Sequence, residues 1–105
     1  MKRIATITKL KSGMKEEYKK IHDKIWDDMV EAGHKANMRN FTIFVHEDYL
    51  FSYFEYIGDN YEADMARKNS LEVTKKWREA TGAMTDFLFD ETKIINLDEL
   101  WHNDF

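Results

Sequence analysis

The first third of the chain changes from alternating to helical hydrophobic spacing. Residues 2–10 alternate between apolar and polar side chains, which predicts a first strand. Apolar and aromatic residues then recur every three or four positions, which predicts one amphipathic helix over residues 13–32. Ser12 is a candidate cap for the start of this helix, and Gly33 is a typical signal for its end. The residues on its apolar face are Tyr18, Ile21, His22, Ile25 and Met29.

The rest of the chain predicts a hairpin, two further helices and a last strand. Residues 38–46 and 49–57 are rich in aromatic and β-branched residues and have the pattern of a hairpin. Asp59 is a candidate cap for a short helix over residues 60–67. A second helix is predicted from Asn69 or Ser70 to about residue 81, with another turn over 84–88. A last strand is predicted within 93–103, with 97–103 as the favoured range. The order β-α-β-β-α-β predicts an α+β fold of the ferredoxin-like type.

Both faces of the predicted hairpin are apolar. Phe51 and Tyr53 lie on one face of its second strand, and Phe54 and Tyr56 lie on the other. Two helices can cover only one face of such a sheet, and a large exposed apolar face is unusual in a monomer. We therefore expect a homodimer in which a second copy covers that face by two-fold symmetry, so that two sheets form a dimeric α+β barrel.

Length and composition narrow the class of protein. The 105 residues predict a single domain spanning residues 1–105. The net charge of −4, with acidic and basic residues interspersed, argues against a nucleic-acid partner. No cysteine is present, so disulfide and thiolate chemistry are excluded. No apolar segment is long enough to span a membrane or has the pattern of a leader peptide, so we expect a cytoplasmic protein without a membrane partner.

His22 and Tyr18 are the first candidates for chemistry. They lie one turn apart on the apolar face of the predicted helix, where an imidazole carries a titratable group into a shielded place. The alternative interpretation is a core histidine whose ring nitrogens are satisfied by nearby carbonyl groups. The four histidines are scattered and no phosphate-binding glycine motif occurs, so we expect neither a metal nor a cofactor.

The segment around these residues resembles a known family. The chain matches the pattern E-E-Y-x-x-x-H-x-x-I-W with Glu16, Glu17, Tyr18, His22, Ile25 and Trp26. This pattern is similar to the first helix of the L-rhamnose mutarotase family. The resemblance implies a dimeric α+β barrel and an isomerase that interconverts the α and β anomers of a monosaccharide. It also implies that His22 is the catalytic proton donor and that Tyr18 binds the sugar. Trp26 matches the family helix but is interpreted as a packing residue.

Two departures from the family concern the expected sugar site. The family usually has two adjacent tryptophans where this chain has Lys76 and Trp77, and usually has a tyrosine where this chain has Phe41. The resemblance implies that Trp77, Lys76 and Phe41 contact substrate. The alternatives are a solvated lysine and a strand residue that only packs. The loss of an indole and a hydroxyl group motivates a second hypothesis, a mutarotase for another 6-deoxy sugar such as L-fucose.

Two hypotheses from other classes remain open. A cofactor-free monooxygenase shares the dimeric α+β barrel, since one fold serves many functions. A non-catalytic dimeric domain that binds a small ligand is the third possibility, with His22 merely buried.

Overall fold

The computed structural model describes residues 1–89 and 91–105 and has a mixed α+β architecture. Strands β1 and β2 have the bounds that the sequence predicts, and β3 ends one residue earlier than predicted. The elements are β1 (Lys2–Leu10), α1 (Lys15–Asp23), α2 (Asp27–Lys35), β2 (Met38–His46), β3 (Tyr49–Tyr56), α3 (Tyr61–Asn69), α4 (Glu72–Gly82), β4 (Thr85–Asp86) and β5 (Ile95–Leu97).

The strands form one antiparallel sheet in the order β2-β3-β1-β4, with β5 also paired to β1. This order confirms the predicted ferredoxin-like α+β fold. The edge beside β1 is shared by two short strands, because Asp86 pairs with Lys9 and Ile95 pairs with Ile7. The predicted turn over residues 84–88 is wrong, since it contains β4. The last strand, β5, lies inside the predicted window 93–103 but begins two residues before the favoured range 97–103.

The predicted helix over residues 13–32 is two helices, and the single-helix prediction is wrong. The backbone leaves the helical region at Lys24 and is extended at Trp26, with φ −66° and ψ 139°. Two acidic residues, Asp27 and Asp28, lie in the first turn of α2, where negative charge stabilises a new N-terminus. Gly33 lies inside α2 and does not end it.

The predicted helix caps are also wrong. Met14, not Ser12, is the residue before α1, and it makes no side-chain cap bond. At α3, the side chain of Asn60 rather than Asp59 accepts a hydrogen bond from the Ala63 amide at 3.1 Å. Helix α4 begins after Leu71, later than the predicted start at residue 69 or 70.

One face of the sheet packs against the helices and the other is open in the single chain. Leu50, Phe54 and Tyr56 of β3 are buried on the helix side. On the opposite face Phe44 is 64 % exposed and pairs across the hairpin with Phe51. We call the face that carries Phe44 and Phe51 the open face.

A polar network fixes α3 to the end of the hairpin. The Tyr56 hydroxyl donates to Asp64 at 2.5 Å, Asn37 donates to the same carboxyl at 3.0 Å, and Arg67 donates at 2.6 Å. These three donors, Tyr56 first, lower the pKa of Asp64 to about 2. Gly58 lies against the network, and a Cβ atom there would lie 2.5 Å from the Tyr56 hydroxyl oxygen.

We predict that Gly58→Ala destabilises the protein, because the new methyl group requires Tyr56 and Asn37 to move. Overpacking of this kind costs about 1–3 kcal/mol. The matched control is Gly33→Ala, whose Cβ meets nothing within 4 Å inside α2 and should stabilise the protein by about 0.5–1 kcal/mol. Urea unfolding followed by circular dichroism measures both changes, and equal stabilities for the two variants would contradict the prediction.

Candidate functional site

Helix α1 brings Tyr18 and His22 together, one turn apart on its inner side. Their ring centroids lie 4.4 Å apart and their planes are tilted by 31°. The helix is stabilised locally by acidic residues in its first turn and by a 2.7 Å ion pair between Lys19 and Asp23 on its outer side. The arrangement places a phenol and an imidazole side by side, both half-buried.

A hydrogen bond to the backbone orients the His22 ring. Its Nδ1 atom lies 2.8 Å from the Tyr18 carbonyl oxygen. Because a carbonyl oxygen only accepts, Nδ1 must carry a hydrogen and donate it. In the neutral imidazole, Nε2 is then the nitrogen without a hydrogen. The helix backbone therefore holds Nδ1, and within residues 1–89 and 91–105 Nε2 makes no hydrogen bond.

Helix α4 contributes Trp77, which packs edge-on against His22 with ring centroids 5.1 Å apart. Trp26, at the break between α1 and α2, also packs edge-on against Trp77, with ring centroids 5.2 Å apart. We call Tyr18, His22, Trp26 and Trp77 the aromatic cluster. Trp77 is 9 % exposed, so the cluster is part of the core as well as the candidate site. This packing is consistent with the interpretation of Trp26 as a packing residue.

Burial within this environment raises the pKa of the Tyr18 phenol. The phenol therefore stays protonated over the neutral range and can both donate and accept a hydrogen bond. This property suits recognition of a hydroxyl group.

Phe41 lies in β2 of the sheet rather than in the aromatic cluster. It stacks on Phe54 with ring centroids 6.0 Å apart and is 53 % exposed. A bulge between Arg39 and Thr42 interrupts β2 here, and Asn40 adopts a positive φ of 56°. The Asn40 side chain donates to Glu55 at 2.7 Å, which ties the bulge to β3.

Lys76 is exposed and lines a groove beside the aromatic cluster. The groove has a volume of about 380 Å³ and is formed by Trp26, Asp28, Glu72, Val73 and Lys76. Sequence reasoning missed the other polar groove residues, because Asp28 and Glu72 are recognisable only once the helix break places both at helix starts. The structure thus brings Tyr18, His22 and Trp77 together, and gives Phe41 and Lys76 other neighbours.

Two further features of the described part of the chain are its metal-ligating side chains and the length of its helices. Within residues 1–89 and 91–105, no three potential metal-ligating side chains of His, Cys, Asp or Glu converge. None of the helices described is both long and apolar enough to cross a membrane.

Comparisons with known proteins identify the family. The family model for L-rhamnose mutarotase matches residues 3–103. The L-rhamnose mutarotase of Listeria monocytogenes is 40 % identical over 79 residues, which is 73 % of each chain. The chain belongs to the L-rhamnose mutarotase family. The resemblance seen in the first helix is therefore confirmed.

Solved structures agree on the fold. The L-rhamnose mutarotase from Formosa agariphila superposes with a TM-score of 0.80 at 24 % identity, covering 99 % of this chain and 100 % of that one. A putative antibiotic biosynthesis monooxygenase from Nitrosomonas europaea superposes with a TM-score of 0.63 at 13 % identity, covering 94 % and 89 %. These identities establish a shared fold only, and the fold therefore does not distinguish a mutarotase from a monooxygenase.

We predict that Trp77→Ala costs about 3–5 kcal/mol of stability, because the indole packs against both His22 and Trp26. The matched control is Phe87→Ala, which removes a half-exposed ring and should cost less than about 1 kcal/mol. Chemical denaturation followed by circular dichroism compares the two. A Trp77 variant as stable as the Phe87 variant would show that the aromatic cluster does not hold α1 and α4 together.

Proposed function

We propose that this member of the family is a mutarotase that interconverts the α and β anomers of L-rhamnose. The observation that carries the proposal is His22, with Nδ1 bonded to the Tyr18 carbonyl oxygen and Nε2 left for a ligand. A half-buried imidazole beside a neutral phenol and an indole can exchange a proton with a sugar and hold its ring. Family membership supports the same reaction.

The proposed reaction is acid–base ring opening and closure. The protonated His22 ring gives its Nε2 proton to the ring oxygen of the sugar while the C1 hydroxyl loses its proton to water. The bond between C1 and the ring oxygen breaks, and an aldehyde forms. The carbonyl end rotates, and the same steps in reverse close the ring on the other face and return the proton to His22. Acid–base catalysis contributes roughly 10²–10⁴-fold, which suits a reaction that already proceeds slowly in water.

Tyr18 and Trp77 hold the sugar in this proposal. The neutral Tyr18 hydroxyl bonds a sugar hydroxyl, and the indole of Trp77 offers an apolar surface and an N–H donor. Phe41 and Lys76 are proposed as outer contacts that set sugar preference. Because Phe41 lacks a hydroxyl group and Lys76 cannot stack, L-fucose remains the alternative substrate.

We also infer that the working unit is a homodimer formed through the open face. Phe44 and Phe51 pair there in the antiparallel hairpin, and Leu97 of β5 is also exposed. The aromatic cluster lies on the helix side of the sheet, so dimerisation through the open face leaves access to His22. We also propose that the protein acts in rhamnose metabolism in the cytoplasm.

We predict that His22→Ala abolishes the acceleration of anomer exchange while the fold is retained. The matched control is His34→Ala, which removes an exposed histidine of α2, away from the open face, and should keep the wild-type rate. NMR exchange spectroscopy between the α and β signals of L-rhamnose measures the rate, at a pH where spontaneous exchange is slow. Wild-type exchange in the His22 variant would overturn the catalytic role.

Measurements of anomer exchange, sugar binding and oxygen consumption separate the remaining hypotheses. Faster exchange of L-fucose than of L-rhamnose would assign the protein to the alternative sugar. Binding of sugar without exchange would favour a ligand-binding domain. Oxygen consumption with an aromatic substrate, and no exchange with either sugar, would favour the monooxygenase.

We predict that Phe44→Glu converts the dimer to a monomer, because it places a charge in the open face. The matched control is Val30→Glu, an exposed apolar position on α2 in the helix layer, which should leave the dimer intact. Size-exclusion chromatography with light scattering gives the molar mass of each. A monomeric wild-type protein, or a dimeric Phe44 variant, would refute the proposed interface.

A further inference from the structure

The groove beside the aromatic cluster adjoins the proposed sugar site and shares only Lys76 with it. Its volume of about 380 Å³ lies within the range of roughly 300–1,000 Å³ that is typical of small-molecule pockets. It lies between the first turns of α2 and α4, so two rigid helices form its walls. Neither His22 nor Tyr18 lines it, which separates it from the proposed proton-transfer site.

An indole forms one wall of this groove. Trp26 is 36 % exposed although its ring packs edge-on against Trp77. Part of a large flat apolar surface therefore stays accessible while its other side is held in place by the aromatic cluster. Such a surface suits the C–H face of a sugar ring, because it is apolar and does not have to be ordered on binding.

Polar groups on the other walls offer both donors and acceptors. Asp28 and Glu72 supply carboxylate oxygens, and Lys76 supplies an ammonium group. Within the described residues, none of these three side chains takes part in a hydrogen bond or an ion pair with another residue of the chain. Helices α2 and α4 also start without a side-chain cap, so their first amide groups are additional donors.

The charges in the groove nearly balance. Two carboxylates face one ammonium group, and the positive ends of two helix dipoles lie at the same place. A strongly charged ligand gains little from such a site. A neutral ligand rich in hydroxyl groups can use the acceptors, the donors and the indole together.

We propose that this groove binds a second pyranose ring next to the sugar at His22. The ring belongs either to a separate monosaccharide or to the outer unit of a reducing disaccharide. Dimerisation through the open face leaves the groove accessible, because the groove lies in the helix layer. The choice of a carbohydrate rests on the proposed function, whereas the site itself rests on the groove residues.

The test follows the indole N–H signals of the three tryptophans by NMR. The ligands are methyl α-L-rhamnopyranoside, which cannot open its ring, and a reducing disaccharide with L-rhamnose at its reducing end. Wild-type protein should show shifts of both the Trp26 and the Trp77 signals. Two half-saturation concentrations with the methyl glycoside indicate a separate second sugar, and one common concentration with the disaccharide indicates two rings of one molecule.

The decisive variant is Asp28→Ala with Glu72→Ala, which removes both carboxylates from the groove. With the methyl glycoside, we expect the concentration that half-saturates the Trp26 shift to rise at least about tenfold, with the Trp77 titration unchanged. With the disaccharide, both signals report the binding of one molecule, and their common half-saturation concentration should rise together. The matched control is Asp27→Ala with Glu79→Ala, which removes two carboxylates from the same helices outside the groove and should titrate as wild type.

Two results would overturn the proposal. One is a Trp26 signal that does not move with either ligand. The other is a Trp26 shift with the same half-saturation in the groove variant as in the control, which would mean that it reports the sugar at Trp77. Anomer exchange of L-rhamnose measured on the same samples decides the proposed function separately, since the groove titration does not depend on turnover.

Discussion

The edge-on contact between Trp26 and Trp77 is the interaction on which the site depends. It joins the break between α1 and α2 to the middle of α4, so three helices meet at two indole rings. The contact adds aromatic packing against α4 at the point where the helical backbone of α1 ends. His22 packs edge-on against the same Trp77 ring.

A second constraint acts on the chemistry rather than the packing. The bond from His22 Nδ1 to the Tyr18 carbonyl oxygen lies within a single helix, so the ring orientation does not depend on a distant partner. A histidine oriented by its own helix needs no carboxylate beside it. This differs from sites in which a carboxylate from another element orients the imidazole.

Sequence patterns predicted the parts of the fold that depend on local repetition. Strands β1 and β2 were recovered with their bounds, and the pairing of Tyr18 with His22 follows directly from helical spacing. The break at Trp26 was missed because the helical spacing of Ile25 and Met29 continues through it. At the break Trp26 contacts Trp77 of α4, some fifty residues away in sequence, and no local pattern contains that contact. The short strands β4 and β5 were misplaced for the same reason, since they exist only as partners of β1.

The split edge of the sheet has a consequence for how copies of this chain can meet. An unbroken edge strand exposes a row of unpaired amide and carbonyl groups that another chain can extend. Here the edge beside β1 consists of two separate strands of two and three residues, and the opposite edge, β2, is interrupted by the bulge at Asn40. Neither edge offers a long regular ladder. The protein can therefore expose an aromatic sheet face and still discourage the edge-to-edge growth that leads to fibrils.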